Sequence, residues 1–280
     1  MRAHHGGKMG DLIYALPAIR ALARVHGPVD LVTSPLCSQL VPILWEQSYI
    51  KSVEMDTTRA YWADRKILQG WDYFSETGDG INLSPQPEYT EPGSPQYWTH
   101  CYEKKAGVPL TPADYVALPS LVNHRRWLWG YDVRLDGKPT WPDPMVVVAP
   151  EAETCPESPP TLWQRIITEF AKADYRVIVV GKRRWDFEYT DCVDLRGVTT
   201  VPTMAYLIAQ AHAFLGQLSL PYHLARHCEM PHACLQQILL GLVRSIPQDT
   251  VAHFFDPDEW RKATDFLIDW ARREAPGREE

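Results

Sequence analysis

Residues 4–22 read HHGGKMGDLIYALPAIRAL. Two histidines and two glycines lead into Lys8 and Asp11, and an apolar run begins at Leu12. Residues 2–5 read as a short strand. From Leu12 the apolar positions Leu12, Ile13, Leu16, Ile19, Leu22 and Ala23 recur at helical spacing through residue 25. Pro17 falls inside that pattern and is expected to kink the helix or to confine regular helix to the part after it. A strand, a glycine loop and a helix in this order open an α/β unit. Glycine lets backbone N–H groups approach a ligand closely. A loop entering a helix N-terminus turns unpaired N–H groups and a positive dipole end toward whatever sits there. Lys8 adds a full charge, and Gly10 keeps the approach open. This chemistry suits a phosphate or an acceptor's oxygen. The pattern GxxxxGK[ST] is not met, because Met9 follows the lysine, and GxGxxG is not met either. Asp11 has two readings. It is a first-turn acid stabilised by the helix dipole, or a general base that takes a proton from an acceptor hydroxyl.

Outward from this stretch the alternation continues. Residues 29–33 (VDLVT) read as a strand, 37–47 as a helix, and 52–55 and 72–75 as further strands. The texture changes over residues 78–119, where NLSPQPEYTEPGSPQYWTH (82–100) is rich in Pro, Ser and aromatics and suits a long surface loop. A helix is expected at 96–106. The turn-rich residues 120–144 mark a boundary. Beyond it the alternation restarts: strands at 145–149, 176–181, 192–195 and 213–215, helices at 161–173 and 201–211, and a helix from Ser219 through His227. Strands that are continuous apolar runs, each followed by a helix, indicate parallel sheets covered on both faces. Two such units place a cleft between them, and ligands bind at the carboxyl ends of such strands. The last helix is marked by Asp256 as N-cap, Pro257 at the first helical position and Glu259 completing a capping box.

Composition narrows the class. The chain has 280 residues, 45% hydrophobic and 22% charged, which is ordinary for a globular protein. Apolar runs fall short of the roughly 18 residues that cross a bilayer. The apolar segment from Leu12 is broken by Pro17 and Arg20, so it does not read as a signal peptide, and a cytoplasmic location is the expectation. The net charge of −7 gives no global footprint for nucleic acid. Six cysteines are scattered without a CxxC pair, so reduced thiols are expected.

Two further clusters carry chemistry. In VIVVGKRRW (177–185) a buried strand ends in Gly181 and delivers Lys182, Arg183 and Arg184 to the sheet edge. Such cations neutralise a diphosphate leaving group; the plainer reading is a solvated turn. In FLGQLSLPYHLARH (214–227), Ser219 caps a helix whose first residues include Leu220 and His223, again an anion-binding geometry. His227, Cys228, His232 and Cys234 are spaced unlike any common structural zinc site, and no metal site is assigned.

The three clusters, in this order, resemble glycosyltransferase family 9, the heptosyltransferase-like group of GT-B enzymes. The resemblance rests on GGKMGDLIYALPAIRAL including Pro17, on VVVAPEAE, VIVVGKRR and DLRGVTTVPTMAYLIAQAHAFLG, and on SLPYHLARHCEMP. The matching segments cover about half of the residues, and the short chain looks like the compact versions found in phage genomes. The resemblance implies an α/β GT-B fold: two Rossmann-like parallel-sheet domains facing a central cleft, with a C-terminal helix packing back. The expected division is an acceptor-binding domain at 1–140, a nucleotide-sugar-binding domain at 141–255 and a terminal helix and tail at 256–280.

The resemblance implies sugar transfer from a nucleotide-diphosphate sugar to an acceptor hydroxyl, hexosyl or heptosyl, with inversion and without a metal or cofactor. Asp11 aligns with the family's proposed base. Lys8 and Gly10 fall in the family's acceptor and phosphate loop, Lys182 aligns near its phosphate-binding lysine, and Ser219 with the amides after it, from Leu220, aligns with its diphosphate-binding helix start; Arg183 and His223 are further donor-side candidates, and Gly7, Tyr97 and Trp98 are expected on the acceptor side. The family usually carries Asp-[Thr/Ser]-Gly before the last of these helices. Leu218-Ser219-Leu220 stands here instead, which weighs against ADP-heptose and a lipopolysaccharide acceptor. The acceptor is a saccharide, a small molecule or DNA bearing hydroxymethylated pyrimidines. HRRW (124–127) and KRRW (182–185) pair cations with an aromatic as single-strand binders do. A catalytically silent nucleotide-sugar-binding protein is the alternative from another class.

Overall fold

The computed structural model describes residues 1–57, 80–84, 98–115, 117–123, 144–152, 158–182, 186–228, 231–235 and 252–274. The chain divides into two compact units, Met1–Ser120 with Leu239–Pro247, and Leu121–Ile238 with Gln248–Glu280. The expected strand at 72–75 and the motif HRRW lie outside the described residues.

In the first unit β1 (Arg2–His5) leads into α1 (Met9–His26), then β2 (Val29–Thr33), a 3-10 helix (Pro35–Leu40), α2 (Val41–Trp45), β3 (Ile50–Met55), β4 (Ile81–Asn82) and α3 (Trp98–Ala106). A 3-10 turn at Pro112–Tyr115 and α4 (Pro119–Asn123) follow. The sheet order is β3-β2-β1-β4, every pair parallel, so β1 is central and its carboxyl end opens at His5. Alpha-helix α1 covers this sheet with Leu12, Ile13, Leu16, Ile19 and Leu22, all fully buried.

Two expectations are corrected here, both at prolines. Pro17 does not confine the helix to its later part: α1 runs unbroken from Met9 to His26. The missing N–H costs ~3 kcal/mol. Each of the five large side chains of that face gains about 1.5–3 kcal/mol on burial, so packing wins. The expected helix at 37–47 is split into the 3-10 stretch and α2. Pro42 has no N–H to donate to Ser38, and the preceding Val41 N–H takes the Ser38 carbonyl in the tighter 3-10 pattern.

The second unit runs β5 (Met145–Ala149), α5 (Pro160–Lys172), β6 (Arg176–Val179), β7 (Val193–Asp194), α6 (Val201–Gln210), β8 (Ala213–Gly216), α7 (Leu220–His227), β9 (His232–Leu235), β10 (Ala252–Phe255), a 3-10 turn (Pro257–Glu259) and α8 (Trp260–Glu274). Its sheet is parallel throughout in the order β10-β9-β8-β5-β6-β7. Val146, Val148, Leu215, Ala233 and Leu235 face Trp163, Ile166, Phe170, Ala263 and Leu267 in one buried cluster, so α8 packs with α5 against its own sheet. The capping box stands as read. Asp256 accepts from the Asp258 N–H at 3.1 Å, and Glu259 accepts from the Asp256 N–H at 3.4 Å. The box closes a 3-10 turn ahead of α8.

Strands β9 and β10 go beyond the sequence reading. HACL (232–235) drew attention as a His/Cys cluster, yet its burial comes from strands on either side. Among the described residues no group of His, Cys, Asp or Glu side chains has metal-holding geometry. No described helix is long and apolar enough to cross a membrane. Cys37, Cys192, Cys228 and Cys234 are free thiols. Burial raises Cys37 to about 11 and Cys228 to about 12. Thiols held so far above neutral pH are poor nucleophiles.

Candidate active site

In the first unit the central strand ends at His5, and residues 6–8 carry the chain into α1. The three loop amides are spoken for within the protein. Gly6 N–H donates to Ser84 Oγ at 2.9 Å, Gly7 N–H to His5 Nδ1 at 3.3 Å and Lys8 N–H to Asp11 Oδ2 at 3.0 Å. For Gly6 and Gly7 the expectation that the glycine amides approach a ligand is therefore corrected. The first N–H groups of α1, at Met9, Gly10 and Asp11, precede the first intrahelical bond, Leu12 N–H to Lys8 O. The Lys8 side chain is exposed.

Gly7 fills a tight position. Its carbonyl accepts from Ser34 Oγ at 3.1 Å and from Cys37 Sγ at 3.5 Å. A Cβ there would lie 2.8 Å from His5 Cε1, 2.9 Å from Asp11 Cβ and 3.0 Å from Asp11 Oδ2. Only glycine fits without moving the imidazole or the carboxylate.

Both readings of Asp11 meet at this point. As the third residue of α1 it accepts the N–H of Lys8 through Oδ2, as a first-turn acid does. Among the described residues no hydrogen bond reaches Oδ1. Burial raises the carboxyl pKa above its ordinary value, opposed by the Lys8 amide and then by the Lys8 ammonium. A carboxylate with one oxygen fixed, the other open and a raised proton affinity is equipped to take a proton from a hydroxyl. Helix α3 is tied to the same loop: Tyr102 Oη donates to the Asp11 carbonyl at 3.3 Å, and Lys105 Nζ donates to the Ser84 carbonyl. Trp98 opens α3, and Tyr97 lies outside the described residues.

In the second unit the chain leaves β5 toward β6 on one side and later returns to β8 on the other, so the strand order reverses between β5 and β8. Ligands of open α/β sheets bind outside the carboxyl ends of the strands at such a switch point. Here Gln217 N–H donates to the Ala149 carbonyl at 3.1 Å, and Ser219 opens α7. Ser219 occupies the N-cap position, but its hydroxyl donates to the Gln217 carbonyl at 3.0 Å instead of capping the helix. The expected side-chain cap is corrected. Ahead of the first intrahelical bond, His223 N–H to Ser219 O, α7 carries backbone N–H groups at Leu220 and Tyr222, since Pro221 has none. His223 is buried, and its pKa lies well below the ordinary value because of desolvation, then of Arg226 and His227. It is therefore a neutral imidazole rather than a cation. Lys182 is exposed just past Gly181, after the carboxyl end of β6. Arg183 lies outside the described residues.

A buried ionic knot supports these loops, and the sequence reading assigned it no role. Arg196 Nη1 meets Glu151 Oε1 at 3.1 Å with both side chains sealed from solvent. Its Nη2 meets Asp194 Oδ2 at 2.7 Å, its Nε donates to Asp194 Oδ1 at 2.9 Å, and Nη2 also donates to the Phe187 carbonyl. The guanidinium lies 4.4 Å from the centroid of the Tyr189 ring. Gly181, at φ +144°, would set a Cβ 3.4 Å from Glu151 Oε2, and its carbonyl accepts from Gly197 N–H at 2.8 Å. The loops after β5, β6 and β7 thus share one anchor behind Lys182. The signal in sequence was Leu-Arg-Gly, but its partner Glu151 is remote in the chain.

With both carboxyl-end surfaces described, comparison with solved structures becomes informative. The E. coli ADP-heptose lipopolysaccharide heptosyltransferase II matches with a TM-score of 0.63 at 13% identity, over 98% of this chain and 100% of that one. A glycosyl transferase family 9 protein of Veillonella parvula matches with a TM-score of 0.62 at 11% identity, over 95% and 97%. The E. coli heptosyltransferase WaaC with ADP gives 0.60 at 12% identity, over 98% and 100%. The chain has the two-sheet α/β fold of these glycosyltransferase structures. No protein-family model matches it, and no curated protein matches it by sequence. The resemblance read from the opening loop and the Leu-Arg-Gly run pointed to this architecture.

Proposed function

We propose that this chain is an inverting, metal-independent glycosyltransferase that moves a sugar from a nucleotide-diphosphate sugar to an acceptor hydroxyl. The observation that carries the reading is Asp11. Its carboxylate sits in the first turn of α1, one oxygen is held by Lys8 N–H, and its proton affinity is raised. In the proposed step Asp11 takes the acceptor proton, the acceptor oxygen bonds to the anomeric carbon, and the bond to the diphosphate oxygen breaks. Lys182 and the first amides of α7 at Leu220 and Tyr222 meet the charge that develops on the leaving diphosphate. Fixed dipoles and cations aimed at such charge usually supply the largest share of the rate. The WaaC structure is with ADP on the same fold, which favours a nucleotide as a ligand of this chain. Leu218 in place of the family's Asp favours a donor sugar other than heptose.

The experiment is a thermal-shift panel of nucleotide sugars and free nucleoside diphosphates, in chelator. A ligand at 100 times its Kd stabilises by about 2.7 kcal/mol, so one donor class stands out by several degrees. Lys182→Ala weakens that donor's binding. A panel in which no nucleotide diphosphate shifts the transition contradicts the reading. Transfer is expected to respond weakly to salt, as for a saccharide or small acceptor. A steep fall between low and moderate salt marks phosphate contacts and assigns the acceptor to DNA instead.

A further inference from the structure

His5 has no part in the roles assigned so far, yet it is bonded to the opening loop through the Gly7 amide. It ends β1 and is fully buried. Its Nδ1 accepts the Gly7 N–H at 3.3 Å, which places the ring proton of the neutral form on Nε2. Burial, reinforced by the Lys105 ammonium, lowers its pKa to about 3, with the Asp11 backbone pulling the other way. The ring is therefore uncharged at any working pH. Its Cε1 and the Asp11 carboxylate close on the same point above Gly7, at 2.8 Å and 3.0 Å from where a Cβ would stand. The Tyr102 ring lies 6.3 Å from the imidazole, centroid to centroid, while its hydroxyl donates to the Asp11 carbonyl. Imidazole, glycine and carboxylate are packed as one unit, with the imidazole as its fixed floor.

We propose that His5 is a positioning residue for Asp11, pinning the Gly7 amide so that the loop presents the carboxylate to the acceptor in one orientation. This rests on the reading of Asp11 as the base. The role asks for an acceptor atom at the δ position and for a flat, uncharged group beside the carboxylate. It does not ask for proton transfer by His5 itself. Misplacing a reacting group by about 1 Å costs roughly 100-fold in rate.

The test compares His5→Phe, His5→Asn and Asp11→Asn in one transfer assay, with donor binding and thermal unfolding measured alongside. His5→Phe keeps the flat bulk and removes the δ acceptor. Its kcat is expected to fall roughly 100-fold while donor Kd stays unchanged. His5→Asn restores an acceptor at the δ position and recovers most of that loss, although it packs worse than Phe. A purely structural role gives the opposite order, with activity following bulk and thermal stability. Full turnover in folded His5→Phe, or no recovery in His5→Asn, overturns the proposal while leaving the base reading intact if Asp11→Asn is dead. Full turnover in Asp11→Asn removes both. Should the variants fail to fold, nitrogen NMR of ring-labelled wild-type protein decides. A neutral His5 with Nε2 protonated and Nδ1 bare across pH 5–9 is expected, and a protonated Nδ1 overturns the proposal.

Discussion

Asp11→Asn is expected to lower kcat by about 10²–10⁴ while leaving donor affinity within a factor of about two. The amide keeps the shape of the carboxylate and still accepts the Lys8 N–H, so the capping role survives and the proton-accepting role does not. The same substitution is expected to stabilise the fold near neutral pH. The sign follows from the raised pKa of Asp11. The folded state binds this proton more tightly than the unfolded chain, so the associated stability is fully present below the unfolded carboxyl pKa and is lost as pH rises through the folded value. Above that value the wild type holds an ionised carboxylate in a partly desolvated site, and Asn does not. In the wild type the acid limb of kcat is displaced upward from the ordinary carboxylate range, because the base must be ionised to act. Steady-state kinetics and melting curves for the two proteins at several pH values check both parts. A variant that is as active as the wild type shows that Asp11 is a helix cap and nothing more.

The second large effect is on stability. Arg196→Met is expected to cost about 3–5 kcal/mol, because it takes away the cation that pairs with the buried Glu151 side chain. A unit of this size then melts roughly 10 °C lower. The stacking of the guanidinium over Tyr189 and its bond to the Phe187 carbonyl are lost as well. Exposed pairs such as Lys172 with Glu169 offer the contrast: removing either partner changes stability by less than about 0.5 kcal/mol. Urea titrations of Arg196→Met and Lys172→Met separate the two cases. A loss below about 1 kcal/mol for Arg196→Met means that the knot is not holding these loops. Donor affinity is expected to fall with it, since the loops anchored by Glu151, Asp194 and Gly181 precede or carry the residues proposed to meet the diphosphate.

Much of the architecture was legible because it is local. Met145–Ala149 is a strand because it is a run of β-branched and apolar side chains bounded by prolines, and such a run is buried on both faces. The helix at Val201–Gln210 has its cap at Thr200 and its proline at the second helical position, both readable in one dimension. What escaped was set by partners far along the chain. His232–Leu235 and Ala252–Phe255 are short and carry histidines, and only pairing with β8 and with each other makes them strands. Pro17 breaks a rule of local propensity that a fully buried helix face overrides. Ser219 stands where a cap belongs, yet its hydroxyl finds the Gln217 carbonyl first.

The site was legible to the same degree. Asp11 and its loop were singled out as candidates from residue type and order. The commitment of the Gly6 and Gly7 amides to Ser84 and His5 was not, because one acceptor comes from β4's far end and the other depends on a ring's tautomer. Likewise Leu-Arg-Gly gave the position of Arg196 but not its meeting with Glu151, which lies 45 residues earlier.

The most direct test of the central claim, a single displacement driven by one carboxylate, is the anomeric configuration of the product. Proton NMR of the freshly formed glycoside, read against the donor used, reports it before any later equilibration. Attack by an acceptor oxygen that Asp11 has deprotonated gives the configuration opposite to the donor's. A product that keeps the donor's configuration contradicts the mechanism and the role assigned to Asp11.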